Sequence, residues 1–142
     1  MTIQAILGSK GREVATIGSD STLSEAVAKL GEKRIGALPV VDNGNVVGII
    51  SERDVIYALR DRGADVLQWP VSKVMTSPAI TAEPSTSVLA ALAMMTQRRI
   101  RHLPVLERGE LAGIVSIGDL VKHRMDRIEE EAEAMRMYIQ GA

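Results

Sequence analysis

The sequence predicts an α+β fold: two β-α-β-β-α units related by a pseudo-twofold axis and packed through their sheets, followed by an extended C-terminal helix. Three observations carry this. First, residues 34–56, RIGALPVVDNGNVVGIISERDVI, lie on residues 99–121, RIRHLPVLERGELAGIVSIGDLV, without a gap at a shift of 99 − 34 = 65. The identical pairs are Arg34/Arg99, Ile35/Ile100, Leu38/Leu103, Pro39/Pro104, Val40/Val105, Gly44/Gly109, Gly48/Gly113, Ile49/Ile114, Ser51/Ser116 and Asp54/Asp119. Upstream, the same shift sets Thr16 on Thr81 and AVAKL on ALAMM, so the chain is an internal duplication. Second, each copy holds two short β-branched runs flanking a turn, with helical patterns on both sides. Third, one small sheet with one helical layer leaves a face uncovered, whereas two such units packed together bury both.

Each unit reads in order. A short strand ends near Thr16 or Thr81. Thr22 with Glu25 then forms a capping box, and Ala26 and Leu30 give the following helix an apolar face. ALPVVD and NVVGIIS are strands joined at Asn43-Gly44, a dipeptide suited to a two-residue hairpin. A second helix starts at Ser51 and stops near Gly63. The second unit repeats the order with SVLAALAMMTQRR, HLPVLE, ELAGIVS and a helix from about Ser116. The expected organisation is therefore unit 1 at 1–66, unit 2 at 67–125 and a helical extension at 126–142. In that extension Val121, Met125, Ile128, Ala132, Met135 and Ile139 form a heptad seam on a charged helix. The seam either folds back on its own unit or meets a second copy.

Composition excludes several functions. At 46% apolar and 25% charged residues the 142-residue chain is globular rather than disordered. It has no Phe, one Trp and two Tyr, too few for stacking on single-stranded nucleic acid, and a net charge of −1 with no basic run. Nucleic acid and anionic membranes are not expected partners. With no Cys there are no disulfides, thiolate metal sites or cysteine nucleophiles. No apolar run approaches the roughly 18 residues of a membrane span, and MTIQAILGSKGREV lacks the basic lead-in of a secretory signal, so a cytoplasmic location is expected.

The repeated phrase is GIISERD (48–54) and GIVSIGD (113–119). Ser-x-x-Asp at a helix start is close to a capping box, which by itself accounts for one copy. Its context suggests more. Gly48 and Gly113 permit close approach beside the strand, a helix N-terminus suits an anion, and Arg101-His102 places donors just before Leu103-Pro104. Together, LPVVD…GIISERD and LPVLE…GIVSIGD, with VMT (74–76) leading into the second unit, resemble tandem CBS domains of the free-standing bacterial type. The resemblance covers residues from roughly 3 to 125.

That resemblance implies a regulatory module that binds adenine nucleotides in clefts between its repeats, the aspartate on the ribose hydroxyls and the serine near the phosphate. Carried over, one site would combine Ser116, Asp119, Arg101 and His102 with Thr16, Ile35, Gly36 and Ala37. The other would combine Ser51, Arg53 and Asp54 with Thr81 and Ile100. Because Arg101-His102 stand where the first unit has Gly36-Ala37, the Asp119 site is expected to be the stronger phosphate site. The ligand would be AMP, ADP, ATP or, as a variant, NAD(H), with a ligand-free homodimerisation scaffold as the alternative. A homodimer through the helices after Ser51 and Ser116 is implied, with output to an unidentified regulated protein.

Other residues carry plainer expectations. A hydrolase would need a nucleophile and base; Ser116 with His102 lacks an orienting acid, so no catalytic residue is assigned. Glu129, Glu130, Glu131 and Glu133 make a wet helix face rather than a metal site. Trp69 is a packing anchor in the connector, His123 is solvated, and Lys10-Gly11-Arg12 reads as a solvated turn, with reach to a phosphate as the alternative.

Overall fold

The computed structural model describes residues 1–141. In unit 1, helix α2 (Leu23–Lys33) is followed by strands β1 (Ala37–Asp42) and β2 (Asn45–Ser51) and helix α3 (Glu52–Arg62). In unit 2, helix α4 (Val88–Arg98) is followed by β3 (His102–Glu107), β4 (Glu110–Ser116) and helix α5 (Ile117–Gly141). One further helix, α1 (Ile3–Lys10), precedes both units. Among the described residues no helix is long and apolar enough to cross a membrane.

The local chemistry follows the repeat. Thr22 and Ser87 accept from the backbone N–H of Glu25 and Ala90, capping α2 and α4. Each hairpin closes on two residues, Asn43-Gly44 and Arg108-Gly109, all at positive φ. This is the twist-matched turn of a two-residue hairpin. Arg34 and Arg99, identical in the two copies, take left-handed backbone at the ends of α2 and α4. Each hairpin carries a bulge, at Val40/Val41 and at Val105/Leu106, so even the irregularity is duplicated.

The expected first strands are shorter than the pattern suggests. Each is a single parallel bridge, Ile17 to Val40 and Ala82 to Val105. Ile17 donates to Pro39 O and accepts from Val41 N; Ala82 does the same with Pro104 and Leu106. The chain leaves the sheet at once because Gly18 to Ser21 turns and Asp42 takes the Ser19 N–H and hydroxyl.

The two cores exchange segments. Ile3, Ile6 and Leu7 of α1 are buried with Val88, Met95, Leu103, Val115 and Leu120 of unit 2. Conversely Val66 and Val71, in 3-10 turns at Ala64–Gln68 and Val71–Lys73, are buried with Leu23, Leu38, Val40 and Ile50 of unit 1. Fully burying each such side chain contributes roughly 1.5–3 kcal/mol. Ile3 to Leu7 and Val71, near the starts of the expected units, thus complete the core of the other, while Val66 stays with its own. The repeats also meet directly between β2 and β4. Trp69 packs against the first core, as expected of an anchor, with Lys73 5.6 Å above its ring.

Two expectations about the last helix resolve. The heptad seam does not fold back: Val121, Met125, Ile128, Met135 and Ile139 are all exposed along the continuous α5. His123, read as solvated, instead has its Nε2 buried without a hydrogen-bond partner among the described residues. Ser87, Val88 and Leu89 at the start of α4 line a small pocket together with it.

Candidate functional site

The clefts are built from the helix starts. Ser51 caps α3 and closes a full capping box: its hydroxyl accepts from Asp54 N at 3.2 Å, while Asp54 Oδ2 accepts from Ser51 N and Oγ, both at 3.0 Å. Ser116 and Asp119 repeat this at α5, at 2.8 Å and 3.1 Å. The first amide of each helix is tied to the residue two before LPV, Glu52 N to Gly36 O and Ile117 N to Arg101 O. The helix starts are therefore rigid, and both copies are the same to this point.

The glycines do what close approach requires. A Cβ on Gly113 would lie 2.6 Å from Leu7 Cδ2, so α1 rests directly on β4. A Cβ on Gly48 would lie 2.7 Å from Met75 Sδ and 2.8 Å from Thr76 O, so the VMT segment rests directly on β2. Thr76 exchanges backbone bonds with Ile49 and donates its hydroxyl to Asp54 Oδ1 at 3.1 Å.

A cleft of about 510 Å3 opens between the units on the Asp54 side. Of the residues singled out from the sequence, Gly36, Ser51, Arg53, Asp54, Ile100, Arg101 and His102 line it. Arg101 and His102, expected beside Asp119, thus face Ser51, Arg53 and Asp54. The reason is geometric: small Gly36 leaves room, and a Cβ there would lie 2.8 Å from His102 Cε1. The lining of this cleft does not include Thr16, Ile35, Ala37, Thr81, Ser116 or Asp119. Ile35 and Ala37 belong to the first unit's interior, and Thr16 gives its carbonyl to Lys29 Nζ. Thr81 sits one residue before the bridge at Ala82, and its neighbour Ile80 lines the cleft in its place.

The cleft is rich in donors. Arg53, Arg99, Arg101 and His102 face two acids, Glu52 and Asp54. Arg53 Nη1 donates to Arg99 O at 3.0 Å, linking the units across it. Burial holds His102 below the ordinary histidine range; Lys10 and Arg101 push the same way, while Glu52 and Asp119 oppose. Residues not singled out include Tyr57 and Ile56 on α3 and Ile49, which give the cleft its apolar wall. Thr76 lies in the VMT that leads into unit 2, so its signal was present in the sequence.

The Asp119 side differs. Lys10, read as part of a solvated turn, donates to Asp119 Oδ2 at 2.6 Å and to Ile114 O at 2.9 Å. Asp119 is held below the usual carboxylate range: burial opposes this, but the Lys10 ammonium and the Ser116 amide outweigh it. Arg12 is drawn off to Glu107 at 2.7 Å. In the free chain, then, Arg53, Arg101 and His102 line the cleft at Asp54, while Asp119 is paired with Lys10.

Two matches to the CBS domain family cover residues 10–61 and 71–126. This chain belongs to the CBS-domain family. Among solved CBS structures, the protein ATU1752 from Agrobacterium tumefaciens is 42% identical, over 87% of this chain and 99% of that one, with a TM-score of 0.85. The CBS-domain pair of protein MJ0100, in complex with 5′-methylthioadenosine and S-adenosyl-L-methionine, is 26% identical over 89% and 98%, with a TM-score of 0.79. The CBS protein PAE2072 from Pyrobaculum aerophilum, complexed with AMP, is 27% identical over 84% and 89%, with a TM-score of 0.75.

Proposed function

We propose that this CBS pair is a regulatory module that binds an adenosine nucleotide in the cleft between its units. The observation that carries the reading is the composition of that cleft. The capped start of α3, with Ser51 and Asp54, faces Arg101 and His102 of the other unit across about 510 Å3. The adenosine group common to the ligands of the MJ0100 and PAE2072 structures supports it. Asp54 would accept from the ribose hydroxyls, and Ser51, Arg53, Arg101 and His102 would hold the phosphate by charge-assisted bonds. Ile49, Ile56, Ile80 and Tyr57 offer the base an apolar wall. AMP, ADP and ATP differ in how much charge they bring to the donors; NAD(H) would use the same adenosine contacts.

Binding signals only if affinity differs between two arrangements of the module. The cleft spans both units, so a ligand bridging Asp54 and Arg101 would favour one spacing between them. The output surface we propose is a homodimer through α3 and α5, whose exposed Leu59, Val121, Met125 and Ile128 lie on the outside of the single chain.

The test is thermal unfolding of nucleotide-stripped protein with AMP, ADP, ATP, NAD⁺, NADH or adenosine. A ligand at a hundredfold excess over its Kd adds about 2.7 kcal/mol to stability. A shift with one or two of these, lost in Asp54→Ala, is the expected result. No shift with any would leave the ligand-free dimerisation scaffold as the function.

A further inference from the structure

The two GhhSxxD motifs are covered by different chemistry. Ile49 and Ile114, and Asp54 and Asp119, are equivalent under the repeat (114 − 49 = 119 − 54 = 65). At the first pair, Thr76 N donates to Ile49 O at 2.9 Å and Thr76 Oγ1 to Asp54 Oδ1 at 3.1 Å. At the second, one atom makes both contacts: Lys10 Nζ donates to Ile114 O at 2.9 Å and to Asp119 Oδ2 at 2.6 Å. Position 10 corresponds to Met75 in the first unit (75 − 10 = 65), so no ammonium is duplicated there.

The consequence is electrostatic as well as steric. A neutral hydroxyl can swing aside and leaves the Asp54 charge in place for a ribose diol. The Lys10 ammonium instead holds Asp119 Oδ2 and offsets the carboxylate's charge, in a charge-assisted bond that is roughly twice as strong as a neutral one. Lys10 is also the last residue of α1, whose Ile3, Ile6 and Leu7 are buried in unit 2, so the helix holds it in place.

The structure assigns to Lys10 the role of a built-in occupant of the second cleft, which sets this chain's capacity at one adenosine ligand instead of two. This rests on the nucleotide-binding reading above. A ligand that is to use Asp119 must first draw Lys10 away, so occupancy there is coupled to the end of α1.

The experiment is isothermal titration of full-length protein with AMP, reading sites per chain. Wild type is expected to bind one AMP, Lys10→Met two, and the double variant Lys10→Met/Asp119→Ala one again. Lys10→Met installs the side chain of the equivalent position, and its Tm reports whether α1 still packs. Two AMP on wild type, or a single AMP on a folded Lys10→Met, overturns the role of Lys10 and leaves the nucleotide reading standing. No AMP on either protein, and no ADP, ATP, NAD⁺ or NADH in the same titration, overturns both. The wild-type count decides the matter even where Lys10→Met fails to fold, since two sites beside an intact Lys10 contradict the proposal.

Discussion

The imidazole of His102 rests on Gly36, close enough that a Cβ on the glycine would lie 2.8 Å from Cε1 and 3.0 Å from Nε2. The two positions are one apart in the repeat, Gly36 matching Arg101 and Ala37 matching His102. The small pair in one copy therefore makes room for the large pair of the other. Gly36→Ala should push the half-buried ring into the cleft with a stability change under about 1 kcal/mol, since the ring can swing. Nucleotide affinity should fall several-fold, as calorimetry would show. Unchanged affinity would mean the ring's place is immaterial.

Gly48 and Gly113 should respond unequally to alanine. Each new methyl would overpack, at a typical cost of about 1–3 kcal/mol. At Gly113 the obstacle is the tip of Leu7, which can rotate; at Gly48 it includes the backbone carbonyl of Thr76, which cannot. Gly48→Ala is expected to lower the urea midpoint more. The reverse order would refute the packing described for the VMT segment.

His102 gives stability a pH dependence with a definite sign. Its folded pKa lies below the ordinary 6.5, so the unfolded chain takes up the proton first. The group costs nothing above 6.5, and stability is lost as pH falls below that value until the folded pKa is reached. Urea midpoints at pH 7.5, 6.5 and 5.5 should fall less steeply in His102→Gln than in wild type. Parallel curves would exclude His102 as the source.

Arg108 holds φ 53° in a hairpin turn where the first unit has Asn43 at φ 50°. A left-handed backbone costs a residue such as arginine roughly 1–2 kcal/mol, and less for asparagine. Arg108→Asn should raise Tm by a few degrees at constant nucleotide affinity. A lower Tm would mean the arginine makes a compensating contact.

The exposed face of α3 and α5 supplies the last prediction. Leu59 is 36% and Met125 57% exposed, so glutamate at either should leave the single chain's core intact. If these faces pair two copies, Leu59→Glu/Met125→Glu should halve the sedimenting mass and make Tm lower and independent of concentration. An unchanged mass would rule this face out as the interface.

Much of this was legible in the sequence because the duplication does the reading. Ten identical pairs located the hairpins, helix starts and glycines, and local chemistry set each one: Asn43-Gly44 for the turn, Thr22 and Ser51 for the caps. The first strands were over-read, since an apolar run before a turn does not say whether one residue or five will pair. Helix α1 was missed because its short sequence, IQAILGSK, has little amphipathic pattern and no capping hydrogen bond from Thr2. Only burial in a distant core makes it a helix worth forming.

By itself, then, the sequence determined what local interactions determine: a doubled unit, its order of elements, and two capped helix starts with identical Ser and Asp. Tertiary structure decided which charges each motif meets. Lys10 is 109 residues from Asp119 and Arg101 is 47 from Asp54, and neither spacing carries a periodic or capping signal. Those neighbours are chosen by how two sheets pack and exchange their leading segments. Identical motifs thereby acquire different surroundings, one facing a cleft lined with arginine and the other paired with a lysine.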